Sequence, residues 1–249
     1  MSSNRKCIFC AKPNKLSREH IFGQWLLKEL DIYDEQVAMS HVSLIGIPLS
    51  ERKHSFSNLV NGLVCEECNN GWMSTLENEC KSHIINLMNL NDEEVKNEIT
   101  LLSDHSTEIS KWAFKNAIML NSATNYRSLV PTSHFLDLYN GTIPKGVFID
   151  LAFSSEDMKL TWRQSPGAFI IKDRSIPFNP NACKYRIAFQ LKHLLVKITY
   201  LESPYSTFYE DDGAIRIHPE VGIIDELKIF SNIDKFDVNG VMHEYIEQS

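Results

Sequence analysis

The sequence predicts an α+β fold with a zinc-stapled N-terminal unit, a helical segment and an antiparallel β-rich C-terminal region. Three observations predict it. Two Cys-x-x-Cys pairs lie in the first third of the chain, apolar residues at helical spacing follow, and alternating apolar and polar residues dominate after Pro144. A chain of 249 residues can form two modest domains. We place them at 1–100 and 101–249, because a polar, acidic stretch over 89–105 separates the two patterns.

The predicted elements of the N-terminal domain follow in chain order. Apolar residues recur at helical spacing between Ile21 and Leu30 and predict a helix. Residues 31–57 lack strong periodicity, so we expect a loop or a loose hairpin there. Residues 58–64 predict a strand, interrupted at Asn61-Gly62, that leads into the second cysteine pair. From Gly71 onward a further helix is predicted, with one apolar stripe formed by Trp72, Leu76, Cys80, Ile84 and Leu87.

The C-terminal domain begins with helices and continues with strands. A helix over 106–122 is predicted from one apolar face, which suits core packing or a subunit interface and is formed by Ile109, Trp112, Ala113, Ala117 and Leu120. A short helix over 132–139 ends at Asn140-Gly141, a helix stop signal. Half-buried antiparallel strands are predicted at 147–153, 185–191, 194–201 and 214–218. The role of this domain stays open between substrate recognition, regulation, and contact with a protein partner or a second copy in a homodimer.

Composition restricts the class of protein. The sequence has no apolar run of roughly eighteen residues and no hydrophobic leader near its first residue, so we expect a cytoplasmic protein that does not bind membranes. A net charge of −7 argues against tight non-specific binding to nucleic acid. The first 30 residues nevertheless carry six Lys or Arg against two acidic residues. A nuclease needs to be positive only where the phosphates lie.

Four of the six cysteines form two matched pairs, Cys7 with Cys10 and Cys65 with Cys68. In a chain without an export signal, such pairs indicate a metal site rather than disulfides. Four thiolates close the tetrahedral coordination of Zn²⁺ and leave no open position, so this zinc should stabilise the fold and perform no chemistry. The 54 residues between Cys10 and Cys65 make a longer loop than a simple zinc ribbon has.

An acid–histidine pair, Glu19-His20, lies within that loop, and the second cysteine pair runs directly into Asn69. The segments Cys7–Cys10, Arg18–Ile21 and Leu63–Asn69 resemble the zinc-bearing branch of the HNH, or ββα-metal, endonuclease family. The segments Glu19–Leu26 and Cys68–Glu77 are similar to a group of bacterial and phage HNH proteins. The resemblance covers residues 5–80 and implies an N-terminal ββα-metal HNH fold.

The resemblance also implies the roles of individual residues. His20 would be the general base that removes a proton from the attacking water, a task that neutral imidazole suits near pH 7. Glu19 and Asn69 would bind one catalytic Mg²⁺ or Mn²⁺, because hard cations prefer oxygen ligands. That cation would stabilise the charge developing on the phosphate. Asn61 would be the middle residue of the motif and would brace the loop that holds the base.

Two of these assignments have alternatives. Asn58 is the second choice for the middle position, since the usual spacing would fall on Val60. Asn70 replaces Asn69 as the ligand if the turn is shifted. The third position of the motif is often histidine, and asparagine there is a variant that does not by itself imply inactivity.

We therefore expect a metal-dependent endonuclease that hydrolyses phosphodiester bonds in DNA. RNA is not excluded as a substrate, because a site of this kind does not read the sugar. The family resemblance makes a role in phage defence or mobile-element biology plausible. The alternative is a non-catalytic zinc module that binds nucleic acid or protein, which the asparagine at the third position and the acidic net charge favour.

Overall fold

The structure, a computed structural model, describes residues 5–42, 48–90, 95–123, 128–165, 183–202, 213–223 and 227–237. It is a mixed α/β protein in which the sheets are almost entirely antiparallel. The predicted α+β class is confirmed at this level. In the described part of the chain, no helix is both long and apolar enough to cross a membrane.

The first strands form two separate pairs. Strand β1 (Leu16–His20) lies antiparallel to β4 (Val60–Cys65), with Leu16 opposite Cys65 and Glu19 opposite Asn61. Between them the chain forms helix α1 (Gln24–Glu29) and a hairpin of β2 (Gln36–Val42) and β3 (Pro48–Ser55). A single 3₁₀ turn, Phe56–Asn58, joins the hairpin to β4. The loop or hairpin expected over 31–57 is a hairpin, although its residues 43–47 lie outside the described part.

A bent helical segment follows the second cysteine pair. It consists of α2 (Glu66–Cys68), a π-helical turn (Asn69–Met73) with non-helical backbone at Gly71, and α3 (Ser74–Met88). The helix predicted from Gly71 onward therefore begins with this distortion rather than with regular turns. Its predicted stripe largely faces the core, since Leu76, Cys80, Ile84 and Leu87 are buried.

Helix α4 (Val95–Ala123) lies at the centre of the molecule and packs against α3, β4 and the C-terminal strands. The apolar face predicted for this helix is buried in the core, and the burial extends beyond that face. Its middle is buried on all sides, and Phe114, Lys115, Asn116 and Met119 are buried together with the predicted face. The predicted domain boundary near residue 100 falls inside α4, and residues 91–94 of the acidic stretch lie outside the described part. One apolar core extends from Cys7 to Ile217.

The C-terminal region is a five-stranded sheet behind α4. Helix α5 (Thr132–Tyr139) precedes it and ends at Asn140, with Gly141 in the left-handed region, as its stop signal predicts. The sheet contains β5 (Val147–Ser165), β6 (Cys183–Leu201), β7 (Ile215–His218), β8 (Gly222–Ile223) and β9 (Ile229–Phe230), in the order β6-β5-β7-β8, with β9 beside β5. The separate strands predicted at 185–191 and 194–201 are one strand. Lys192, at φ 50°, interrupts the alternation of apolar and polar residues between the two predicted segments.

Candidate metal centre and neighbouring polar site

The four paired cysteines converge on one point. All four are buried, and their sulfurs lie within 4.8 Å of one another. Cys7 Sγ is 3.8 Å from Cys68 Sγ, and Cys10 Sγ is 3.7 Å from Cys65 Sγ. Zn–S bonds of about 2.3 Å in a tetrahedron require sulfurs about 3.8 Å apart. These four thiols can therefore bind a metal such as zinc, as the sequence predicts.

Backbone hydrogen bonds attach the first cysteine turn to the strand pair. The amide of Ile8 donates to the carbonyl of Leu63 at 2.9 Å, and the amide of Glu66 donates to the carbonyl of Lys15 at 3.0 Å. The amide of Cys65 points at Cys7 Sγ from 3.3 Å, as amides around a bound thiolate do. Phe9, at the tip of the turn, is buried against Trp72 and Phe135, with ring centroids 5.3 Å away in each case.

The pKa values of individual thiols in the cluster are shifted in opposite directions. Burial acts to raise the pKa of Cys65, but hydrogen bonds from Cys68, Cys7 and Cys10 outweigh it, so its pKa is lowered. Burial raises the pKa of Cys10 and of Cys68. Zinc binds thiolates, so a cation that binds all four sulfurs displaces protons from the cluster.

His20 ends β1 and lies half-buried beside the turn that precedes β4. Burial lowers the pKa of its ring, and the positive charges of Arg18 and Lys115 act in the same direction. A hydrogen bond between the ring and the Ser57 backbone opposes them, which means that the ring is the donor. Gln24 Nε2 lies 3.4 Å from His20 Nδ1. The ring is thus held in place and favours its neutral form.

Glu19 points to helix α4 and faces a buried lysine. Its carboxylate is 3.9 Å from Lys115 Nζ, and the side chains are 13% and 0% exposed respectively. Burial raises the pKa of Glu19; Lys115 counteracts this, and the neighbouring Glu77 adds to it. The strand geometry therefore directs Glu19 and His20 to different surroundings.

Glu77, on α3, is the centre of a second set of contacts with the same lysine. It accepts hydrogen bonds from Lys115 Nζ at 2.9 Å, Trp25 Nε1 at 2.6 Å and Trp112 Nε1 at 3.2 Å. Burial acts to raise the pKa of Glu77, but the charge of Lys115 and these three hydrogen bonds lower it. Both oxygens of the ionised, largely buried Glu77 carboxylate accept hydrogen bonds.

The two candidates for the middle asparagine differ in their surroundings. Asn61 is buried; its Oδ1 accepts from the Leu63 amide at 2.9 Å, and its Nδ2 donates to the hydroxyl of Ser122 on α4. Asn58 is exposed in the 3₁₀ turn. Asn61 is thus the asparagine that braces β4, whereas it contacts α4 rather than the His20 ring.

Asn69 returns to β1 after the second cysteine pair. Its Nδ2 donates to Ser17 Oγ at 3.2 Å, across 52 positions of sequence. Ser17 lies two residues before Glu19 on β1. Asn70, the alternative ligand, is exposed. The structure thus brings Asn69, rather than Asn70, to the strand that carries Glu19 and His20.

Sequence reasoning missed the residues that hold these side chains, namely Ser17, Ser57, Glu77, Lys115 and Ser122. One signal for Lys115 was present, since it is a single charge inside the apolar run Trp112–Leu120. A charge in such a run is expected to be paired when it is buried. In comparisons with known proteins, no family model, no curated protein and no solved structure matches this chain.

Proposed function

We propose that the chain is a metal-dependent endonuclease of the HNH type, which hydrolyses phosphodiester bonds in DNA. The observation that carries the proposal is the hydrogen bond between Asn69 and Ser17. The cysteine cluster fixes the start of the helical segment against β1, and this contact brings an amide to the strand that ends in Glu19-His20. Two strands, a helix and a stapling metal around an acid–histidine pair are the arrangement that the family resemblance implies.

His20 is suited to the part of general base. Its lowered pKa keeps the ring neutral near pH 7, and a neutral ring is the form that accepts a proton. Because the hydrogen bond to Ser57 uses one ring nitrogen as a donor, the acceptor is Nδ1, which faces the Gln24 amide nitrogen at 3.4 Å. The attacking water would take the place of that weak contact. The water that His20 deprotonates would attack the phosphorus atom.

Oxygen atoms around Glu19 fit a hard cation. The carboxylate is mostly buried, burial raises its pKa, and within the described residues its ion-pair partner Lys115 lies a long 3.9 Å away. Asn69 donates with its nitrogen and makes no hydrogen bond through Oδ1 within the described residues. Glu19 and Asn69 would hold Mg²⁺ or Mn²⁺, which when bound stabilises charge on the phosphate and on the leaving oxygen.

The second candidate is a zinc module that binds nucleic acid or protein without cutting it. One observation favours it. Lys115 already places a positive charge beside Glu19, and this charge opposes the binding of a cation. A catalytically silent module would keep the cysteine cluster and the basic N-terminal residues and would need no divalent cation.

Plasmid cleavage separates the two functions. The purified protein is incubated with supercoiled DNA and Mg²⁺ or Mn²⁺, next to His20→Ala and the control His83→Ala, a half-buried histidine on α3. We expect nicking by the wild type and the control, and none by His20→Ala, with zinc content and thermal transition equal in all three. Equal cutting by His20→Ala would remove the assignment of the base. Tight DNA binding without any cutting would favour the silent module.

A further inference from the structure

One buried ammonium group is shared by two carboxylates from different parts of the fold. Lys115 Nζ lies 2.9 Å from Glu77 Oε1 and 3.9 Å from Glu19 Oε1. The lysine side chain is fully buried, and the two carboxylates are 12% and 13% exposed. Coulomb interactions are strong at such distances when water is largely excluded.

Glu77 and Glu19 differ in how many donors surround the carboxylate. Glu77 accepts three hydrogen bonds, one from the ammonium and two from indole nitrogens. Within the described residues Glu19 has the distant ammonium and no hydrogen bond. When both carboxylates are ionised, two negative charges and one positive charge leave the cluster with one net negative charge, and Glu19 is the carboxylate with fewer donors around it.

We propose that Lys115 sets the affinity of the Glu19 site for a divalent cation by neutralising one of its two carboxylates. This inference rests on the proposed function, in which Glu19 is a ligand. Lys115 acts through Glu19 and touches neither the substrate nor the reacting atoms. With Lys115 present the incoming cation meets one net negative charge, and without it two.

Helix α4 carries Lys115 and holds it against the strand pair that contains Glu19. Ser122, two helical turns after Lys115, contacts Asn61, which lies opposite Glu19 on the paired strand. The same helix is buried against the C-terminal sheet. The cation affinity of the N-terminal site is thus set by a helix that both halves of the chain share.

Binding of Mn²⁺ tests the proposal without any cleavage assay. Free Mn²⁺ is followed by electron paramagnetic resonance during titration of the zinc-loaded full chain, at mildly alkaline pH so that both carboxylates are ionised. Lys115→Met should bind Mn²⁺ roughly tenfold or more tightly than the wild type, because a nearby positive charge is removed. Glu77→Gln should bind it roughly tenfold more weakly, because Lys115 then compensates Glu19 alone. Lys115→Arg and the control Lys111→Met, four residues earlier on α4, should change little.

The variants separate the failure of this inference from the failure of the proposed function. Glu19→Gln should abolish Mn²⁺ binding in the wild type and in Lys115→Met. If it does so but Lys115→Met and Glu77→Gln bind as the wild type does, only the role of Lys115 is overturned. If the wild type binds no Mn²⁺, or Glu19→Gln binds it normally, both are overturned. Zinc content and thermal transition identify a variant that does not fold, and if Lys115→Met is such a variant, Glu77→Gln decides alone.

Discussion

Glu19 and Asn61 lie directly opposite each other on β1 and β4, and both side chains contact helix α4. Glu19 faces Lys115, and Asn61 donates to Ser122. A helix from the middle of the chain thus positions a cross-strand residue pair in the N-terminal part of the protein. The site is therefore more than a local motif, because its two strands are positioned by a distant helix.

Asn61→Ala should destabilise the protein by about 1–3 kcal/mol, because the Leu63 amide and the Ser122 hydroxyl lose their partner. Asn58→Ala, at an exposed position, should change stability by no more than about 0.5 kcal/mol. Urea unfolding measures both. If the Asn58 variant proves the less stable of the two, the choice of Asn61 as the bracing residue is wrong.

The pH dependence of cleavage should reflect His20. Since burial lowers the pKa of His20, the acid limb of kcat/KM should fall below pH 6.5, the ordinary value for histidine. Arg18→Gln removes a charge that disfavours the imidazolium ion, so the limb should move toward higher pH. Lys12→Gln, a neutralisation farther along the basic segment, is the matched control. An acid limb that stays in place or moves lower in Arg18→Gln contradicts the assignment.

The cysteine cluster should carry much of the stability of the N-terminal half. Cys65→Ala removes one of four ligands and should reduce zinc well below one per chain and lower the thermal transition, because the binding energy of a structural metal contributes to folding. Cys80→Ala is the matched control, since Cys80 is buried on α3, outside the cluster, and burial raises its pKa to about 12. It should keep its zinc. Zinc content by atomic absorption and scanning calorimetry give both results, and a wild type without zinc would refute this prediction.

The sequence could predict the parts of the site that are set by local spacing. Two Cys-x-x-Cys turns present sulfurs in pairs, so the cluster was predictable, and Asn140-Gly141 ends α5 as its backbone preference demands. The contacts of Glu19 were not predictable. They depend on how α4 packs between two layers, and the partner of Glu19 lies 96 positions away, where no spacing rule applies. The sequence pattern also predicts two strands where β6 is one. The irregular backbone at Lys192 shifts the alternation of apolar and polar residues by one position, while the pairing with β5 continues.

The β2–β3 hairpin should contribute to binding of DNA. Arg52 and Lys53 are exposed on β3, and β3 leads into the turn whose Ser57 backbone bonds His20. Removing both charges should raise KM several-fold with kcat little changed, and should reduce the slope of log affinity against log salt by about 2. Lys145→Ala with Lys235→Ala removes the same charge at other exposed positions and is the control. Fluorescence anisotropy on labelled duplex measures the slope, with both double variants made in the His20→Ala protein so that the DNA is not cut. Equal slopes for the two double variants would show that the hairpin does not contribute to DNA binding.

His134 should make stability depend on pH independently of the metal sites. It is buried on α5, its Nδ1 is 2.9 Å from the hydroxyl of Tyr185, and burial lowers its pKa to about 4. In the unfolded chain His134 binds a proton as the pH falls through 6.5, whereas in the folded chain it does so only near pH 4. The contribution of His134 to stability is therefore complete above pH 6.5 and is lost as the pH falls toward 4. Allowing for partial access of solvent, the loss should be on the order of 2 kcal/mol. Urea unfolding between roughly pH 7.5 and 4.5 should show a weaker pH dependence for His134→Gln than for the wild type. An unchanged slope in His134→Gln would assign the effect to other groups.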